Sequence, residues 1–390
     1  MATKKRRPSY EDDDREVRRR SSGQRRPSEQ RRPSEQRRSG AKSKARAKKK
    51  KKKIMLFVIE IFVLLIMLGV LYLTLKTEKV EKVAINEEDI VINDKVADSV
   101  TMKGYRNIAL FGVDSREGAL GKGTRTDTII IASINEDTHD VKLSSVYRDT
   151  YLNLGNDSYN KCNSAYAKGG PEQAINMLNM NLDMNITDYV TCGFAGLVDT
   201  IDELGGVEID VDESEIDHLN NYGICIAEDL NTNYTPLKNT GLQNLTGLQA
   251  TAYCRIRYTK GDDFKRAERQ REVLMAVSEK AKKADIGTLN KIADKVFPQV
   301  ATSLGINEIL SLLKNITDYT VVENTGFPFE TNRATGNIGK KGSCVVPLSL
   351  ADNVELLHKF LFDDENYQAS DAVKEYSAKI QGETSQYVGK

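Results

Sequence analysis

Apolar residues are spread very unevenly along this 390-residue chain. From Ile54 to Leu75 they form a run of 22 residues broken by one charge, Glu60. As a helix rising ~1.5 Å per residue, such a run spans a hydrocarbon core of roughly 30 Å. A cleaved export signal has an apolar region of ~7–15 residues ending at small side chains. This run instead continues through Leu71-Tyr72-Leu73 into Lys76, and it predicts a retained transmembrane helix over 54–75. Beyond Gly104 the pattern changes to short β-branched runs bounded by Gly, Asn and Asp: Asn107 to Val113, Thr128 to Ile134 and Val141 to Val146. These predict strands, and the six-residue connection from Asn135 to Asp140 allows an up-down-up meander. Phe194, Leu197, Val198, Ile201 and Leu204 recur at helical spacing and stop at Gly205-Gly206, before a strand-like Val207 to Val211. A helix is predicted from about Lys265 to Lys283, another over Leu289 to Leu313, and a strand and helix over Val345 to Phe362. The whole reads as a packed α/β domain.

The expected organisation is a disordered tail over 1–53, the membrane helix over 54–75, a stalk over 76–103 and the α/β domain over 104–320. A C-terminal extension packed on the domain follows over 321–362, and a polar tail that frays over 363–390.

Charge sharpens the topology. The total is +1, but Met1 to Lys53 holds 23 Lys and Arg against 7 Asp and Glu, a net of +16, and the remainder holds 34 against 49, a net of −15. The cluster Lys48 to Lys53 abuts the apolar run, and basic flanks stay cytoplasmic. The expected location is therefore the cell membrane, single-pass, with the N-terminus cytoplasmic and the larger part extracellular. The tail repeats Arg25-Arg26-Pro27-Ser28-Glu29-Gln30 as Arg31 to Gln36 and has almost no apolar residue. It reads as a topology signal and solvated segment, with attraction to anionic membrane lipids as the functional alternative. It lacks aromatic interleaving and any DNA-binding module, so no specific nucleic-acid partner is expected. Five cysteines are too few for a disulfide scaffold and read as small core residues.

In the meander Asp114 follows the first strand, Asp127 precedes the second, and Arg148-Asp149 follow the third, all on one rim of the sheet. Arg125 joins them from the Gly-rich loop Gly118 to Arg125. Ligands bind outside strand ends of this kind. Carboxylates with arginines suit a metal-bridged phosphate, since Mg2+ takes one or two carboxylates plus substrate oxygens and guanidinium forks match phosphate. A surface ion-pair cluster would have the same composition. Arg255 and Arg257, read as i and i+2 of an extended Tyr253 to Tyr258, fall on one face. The predicted helix start then carries Asp263, Lys265, Arg266, Arg269 and Arg271, although the helix dipole disfavours cations there. A bound anion resolves that conflict. Asp263 is open to two readings, a helix cap or a base.

Several segments together resemble the LytR-CpsA-Psr family: Asn107 to Arg116, Arg125-Thr-Asp127-Thr, Tyr147-Arg148-Asp149-Thr150, Lys161 with Ala165 to Gly170, Leu204 to Val207, Arg255-Ile-Arg257, and Asp263-Phe264-Lys265-Arg266 with Arg269-Gln270. The match runs from about Gly104 to Lys283, in order. The resemblance implies an α-β-α sandwich, a central mixed β-sheet flanked by helices. It also implies an Mg2+-dependent phosphotransferase moving an anionic glycopolymer, such as teichoic acid or capsule, from a polyprenyl-pyrophosphate carrier onto peptidoglycan. Asp114 and Asp127 would hold the metal. Arg125, Arg148, Arg255, Arg257 and Arg266 would clamp the pyrophosphate, and Lys161, Arg269 and Gln270 would assist in binding. Asp263 is the candidate base for the acceptor hydroxyl. An apolar pocket would take the lipid tail, with Phe194, Leu197, Val198, Ile201, Val273, Leu274 and Val277 as candidates. Tyr147 stands where that family more often has proline, and Lys265 where glycine is usual. A pyrophosphate hydrolase, and a membrane-anchored envelope regulator or binding protein, are the alternative readings.

Overall fold

The computed structural model describes residues 81–82, 85–97, 99–113, 120–257 and 262–388. The predicted tail over 1–53, the membrane helix over 54–75 and Asp114 lie outside the described residues. Among those described, no helix is long and apolar enough to cross a membrane.

In chain order, strand β1 (Glu81–Lys82) and the short helix α1 (Asp94–Ala97) precede β2 (Tyr105–Val113), β3 (Thr126–Asn135) and β4 (Asp140–Val146). A small hairpin, β5 (Tyr151–Asn153) and β6 (Tyr159–Lys161), leads into helix α2 (Asn163–Leu182). Next come β7 (Asp188–Gly193), α3 (Phe194–Glu203), β8 (Val207–Val211), α4 (Glu213–Asp229), β9 (Gly241–Leu245) and α5 (Gly247–Tyr253). Then follow α6 (Asp262–Lys283), α7 (Ile286–Val296), β10 (Val300–Thr302), α8 (Ile306–Lys314) and β11 (Thr320–Phe327). The hairpin β12 (Arg333–Asn337) and β13 (Ser343–Pro347) and the helices α9 (Leu350–Phe362) and α10 (Asp371–Thr384) complete the order.

The central sheet runs β1-β10-β7-β2-β3-β4-β11. Strands β2, β3 and β4 form the predicted antiparallel meander, while β7 lies parallel to β2 and β11 parallel to β4, so the sheet is mixed. Strand alternation gives it two different faces. Ala109, Phe111, Val113, Ile129 and Ile131 pack with α2, α9 and α10 into the main core. Ile130, Ala132 and Leu143 face the other way, with Leu110 and Leu274 of α6 against them. A second core is built from Ile201 of α3, Val207 of β8, Leu219 of α4, Leu245 of β9, Tyr253 of α5 and Val273 of α6.

Several expectations at the edges are corrected. The stretch expected as a stalk docks in part: Val96 and Met102 are buried, and the Val91 amide donates to Asn176 Oδ1 of α2 at 2.8 Å. The segment expected as an extension over 321–362 begins inside the sheet, since β11 is its outer strand beside β4. The tail expected to fray over 363–390 contains α10, whose Val373, Ser377, Ile380 and Thr384 form one buried helical stripe. Its composition is polar, but those positions are enough to dock it. The single helix expected over Leu289 to Leu313 is interrupted after Val296 by a short turn at Phe297–Gln299 and by β10, because Pro298 cannot continue it.

Candidate active site

Each side chain of the rim is placed by local chemistry. Asp127 is the second residue of β3. After β4 the chain turns sharply: the Thr150 amide and hydroxyl both donate to the Tyr147 carbonyl, at 2.8 and 2.6 Å. That turn presents Arg148 and Asp149 side by side, and Lys161 at the end of β6 reaches Asp149 at 3.4 Å. The segment read as extended from Tyr253 is instead the end of a helix. Thr246 and Gln249 form a capping box that starts α5, and the Cys254 amide still donates to Ala250. Ile256 is fully buried between Arg255 and Arg257, and both arginines line one cavity. Asp263 and Arg266 come from the first turns of α6.

These elements gather three guanidiniums around one carboxylate. Asp263 Oδ1 lies 3.2 Å from Arg266 Nη1 and 3.3 Å from Arg257 Nε, and Asp263 Oδ2 lies 3.8 Å from Arg148 Nε. Arg148 also pairs with Asp127, and its Nε lies 3.9 Å from Asp149. The Nε atoms of Arg148, Arg257 and Arg266 are buried with no hydrogen-bond partner among the described residues. Arg255 rests its guanidinium 4.9 Å from the ring centre of Phe194 and 5.8 Å from that of Tyr222. Among the described residues, the cations Arg148, Lys161, Arg257 and Arg266 outnumber the carboxylates Asp127, Asp149 and Asp263 they surround, in a partly desolvated place. Buried charge is costly unless matched.

The titration shifts follow. Burial, then the like charge of Arg148, hold Arg266 below its ordinary value. Arg148 is also opposed by burial, but Asp127, Asp263 and Asp149 hold it above its ordinary value. Burial raises Asp149, against Arg148 and Lys161 and with help from Asp263. An anion would answer the surplus, with the N-terminus of α6 contributing its dipole.

Three of the cations, Arg255, Arg257 and Arg266, line one end of a cavity of about 290 Å³ between the sheet and helices α3, α4 and α6, while Arg148, Lys161 and Asp263 stand outside its lining. Asp127, Arg255, Arg257, Arg266 and Gln270 line that end. The body is apolar, walled by Leu110, Ile130 and Val190 from the sheet and by Leu197, Val273 and Val277 from the helices. Of the predicted apolar candidates, Phe194, Leu197, Val273, Leu274 and Val277 line it. Val198 and Ile201 do not: both are buried, and Ile201 belongs to the second core. Tyr222 of α4 was not anticipated, and nothing in its local sequence marks it. Arg125 is exposed in the loop before β3 and outside the cavity lining. Arg269 is corrected more firmly. It is 1% exposed, with Nε on Glu215 at 2.7 Å and Nη1 donating to the Ile256 carbonyl at 3.1 Å. It braces α4 and the Arg255–Arg257 segment rather than facing the cavity. Lys161 touches Asp149 behind Arg148. Among the described residues no cluster of three or more acidic, His or Cys side chains is poised to hold a metal.

The LytR_cpsA_psr family model matches residues 69–343. A polyisoprenyl-teichoic acid–peptidoglycan teichoic acid transferase, TagV of Bacillus subtilis strain 168, is 31% identical over 205 residues, covering 51% of this chain and 50% of TagV. TagT of the same organism, which carries the same descriptive name, is 29% identical over 231 residues, 57% of this chain and 69% of TagT. The chain thus spans about half to two thirds of the length of these curated relatives. A solved structure of TagT bound to LI-WTA superposes with a TM-score of 0.55 at 21% identity, covering 72% of this chain and 98% of that one, a likeness of fold. The ordered motifs, the mixed sheet and the match over residues 69–343 agree, and the chain belongs to the LytR_cpsA_psr family.

Proposed function

We propose that this protein transfers an anionic glycopolymer from a polyprenyl-pyrophosphate carrier to peptidoglycan and releases polyprenyl phosphate. The observation that carries the reading is the cavity, cationic at one end and apolar along its body. That division matches a pyrophosphate joined to an isoprenoid tail. Apolar burial of the tail stabilises the complex by about 0.8 kcal/mol per CH2 group. A cavity near ~300 Å³ lies at the small end of ligand sites, so it takes the first units of the tail and leaves the rest in the bilayer. The relatives named teichoic acid transferases, and the TagT structure bound to LI-WTA, support the same donor class and acceptor.

In the reaction, an acceptor hydroxyl attacks the phosphorus nearer the glycan. A new P–O bond forms, the bond to the bridging oxygen breaks, and polyprenyl phosphate leaves. Arg255, Arg257 and Arg266 hold the pyrophosphate oxygens, and Arg148 keeps Asp127 and Asp263 in register. Asp263 accepts the hydroxyl proton. Catalysis of this kind is positioning and electrostatics. Asp127, at the cavity edge beside cations suited to phosphate, would offer one hard carboxylate oxygen to an Mg2+ ion held otherwise by the substrate's phosphate oxygens. Such an ion would supply neutralisation of the charge that builds on the phosphoryl oxygens. The expected topology is a membrane-anchored protein with this domain outside, beside its lipid donor and wall acceptor.

The test is a product assay with purified protein, lipid-linked glycopolymer and peptidoglycan. Glycopolymer should become attached to the wall polymer, and Arg255→Ala should slow attachment by about 10²–10³. Cleavage to free glycan at the same rate with and without peptidoglycan would replace the transferase with a hydrolase.

A further inference from the structure

The helix carrying Asp263, Arg266 and Gln270 is tied down from a distant part of the chain. Arg333, the first residue of β12, sits with its guanidinium carbon 3.8 Å from the ring centre of Phe264 and 4.9 Å from that of Tyr147. Its Nη1 donates to the Tyr147 hydroxyl at 2.9 Å and to the Pro328 carbonyl at 3.1 Å. The two rings meet edge to face, 4.7 Å between centres, and with Ala267 and Val345 form a separate buried cluster. Strand β11 makes room for the stack: a Cβ on Gly326 would lie 2.0 Å from the Tyr147 hydroxyl. A second tie follows along α6, where Arg271 Nε donates to Asn324 Oδ1 of β11 at 2.7 Å.

The stack adjoins the site on both sides. Arg148 follows Tyr147, and Asp263 precedes Phe264. Arg333 itself is absent from the cavity lining. The first turns of α6 carry cations against the helix dipole; Lys265, Arg266 and Arg269 are paired with Glu268, Asp263 and Glu215, and the Arg333 stack adds a tie from β12. A guanidinium lying on two rings, with its N–H groups fixed by an oxygen on either side, is a directional clamp.

We propose that Arg333 is a positioning residue for the transfer reaction: it presses Phe264 onto Tyr147 and thereby fixes Asp263 and Arg148, one peptide bond away on either side. This rests on the transferase reading above. The full-length protein is compared with Arg333→Ala, Arg333→Lys, Phe264→Leu and the Arg333→Ala/Phe264→Leu double variant, by hydrogen–deuterium exchange and by transfer kinetics. In Arg333→Ala, exchange over residues 262–270 should quicken about tenfold while α2 stays protected, and kcat should fall about tenfold with donor KM within about twofold. The double variant should be no slower than Arg333→Ala, because both changes break one clamp. Arg333→Lys keeps the charge without the fork and should recover only part of the rate.

Unchanged protection over 262–270, losses that multiply in the double variant, or full recovery by lysine would each overturn the proposal. Exchange needs no substrate. A wild-type protein inactive on the lipid donor therefore sinks the transferase reading, and with it the role in transfer, while the exchange data still judge the clamp. If Arg333→Ala does not fold, the same comparison is made with Arg333→Lys and its double variant with Phe264→Leu.

Discussion

Arg266 and Arg269 lie one turn apart on α6, and both are buried, 5% and 1% exposed. Arg269 meets one carboxylate, Glu215, itself 3% exposed, and a carbonyl, so its charge is matched by the protein. Arg266 shares Asp263 with Arg257 and Arg148, its Nε has no hydrogen-bond partner among the described residues, and its charge is opposed by burial. The same residue type on the same helix is thus a brace in one place and a surplus in the other. A buried charge the protein has balanced holds structure together, whereas one left in excess marks where something from outside is to bind.

The largest effect expected from this contrast is on stability. Arg269→Ala leaves Glu215 buried without its cation and should cost about 3–5 kcal/mol, measured by urea unfolding, while the transfer rate per folded molecule falls less than about tenfold. Next in size is Arg266→Ala, which should slow transfer by about 10²–10³. Its unfolding midpoint should hold or rise, because Arg148 loses a repulsive neighbour. A loss of stability equal to that of Arg269→Ala would erase the distinction between the two arginines.

The smallest effect concerns protons at the rim. Burial first, and Asp263 with it, raise Asp149, so the folded state binds its proton more readily than the unfolded chain does. The stability this contributes is present at low pH and is lost as pH rises from the ordinary value of 3.8 through the folded value. Asp149→Asn should flatten the stability profile in that window, by less than about 1.4 kcal/mol per pH unit. An unchanged slope would show that Asp149 does not hold its proton through burial beside Asp263.

The charged rim was legible because its geometry is local. A short connection, four residues from Glu136 to His139, joins the antiparallel strands, and the meander alone brings Asp127 and Arg148 to one end. The dipole conflict at the start of α6 likewise pointed to an anion. Sorting Arg266 from Arg269 was out of reach, since helical spacing puts both on the inner side and the deciding partner, Glu215, is 54 positions away. The Arg255-Ile256-Arg257 segment reads as extended because alternation over so few residues resembles a helix end with one buried side chain. Arg333 gave no signal, because its meaning lies in two rings from other parts of the chain. The docking of α10 was missed because its inward positions are few among polar neighbours.

Strand β11 has a consequence for how the molecule comes into being. It pairs with β4 so that Thr320 stands opposite Asp140, 180 residues earlier, and such long-range parallel pairing is slow to form. A nascent chain that has not yet reached β11 and β12 already contains Asp127, Arg148, Asp263 and Arg266, yet has no Asn324 or Arg333 to anchor α6. The side chains of the candidate site are therefore made early and aligned late, so a chain still being synthesised carries them without their anchors.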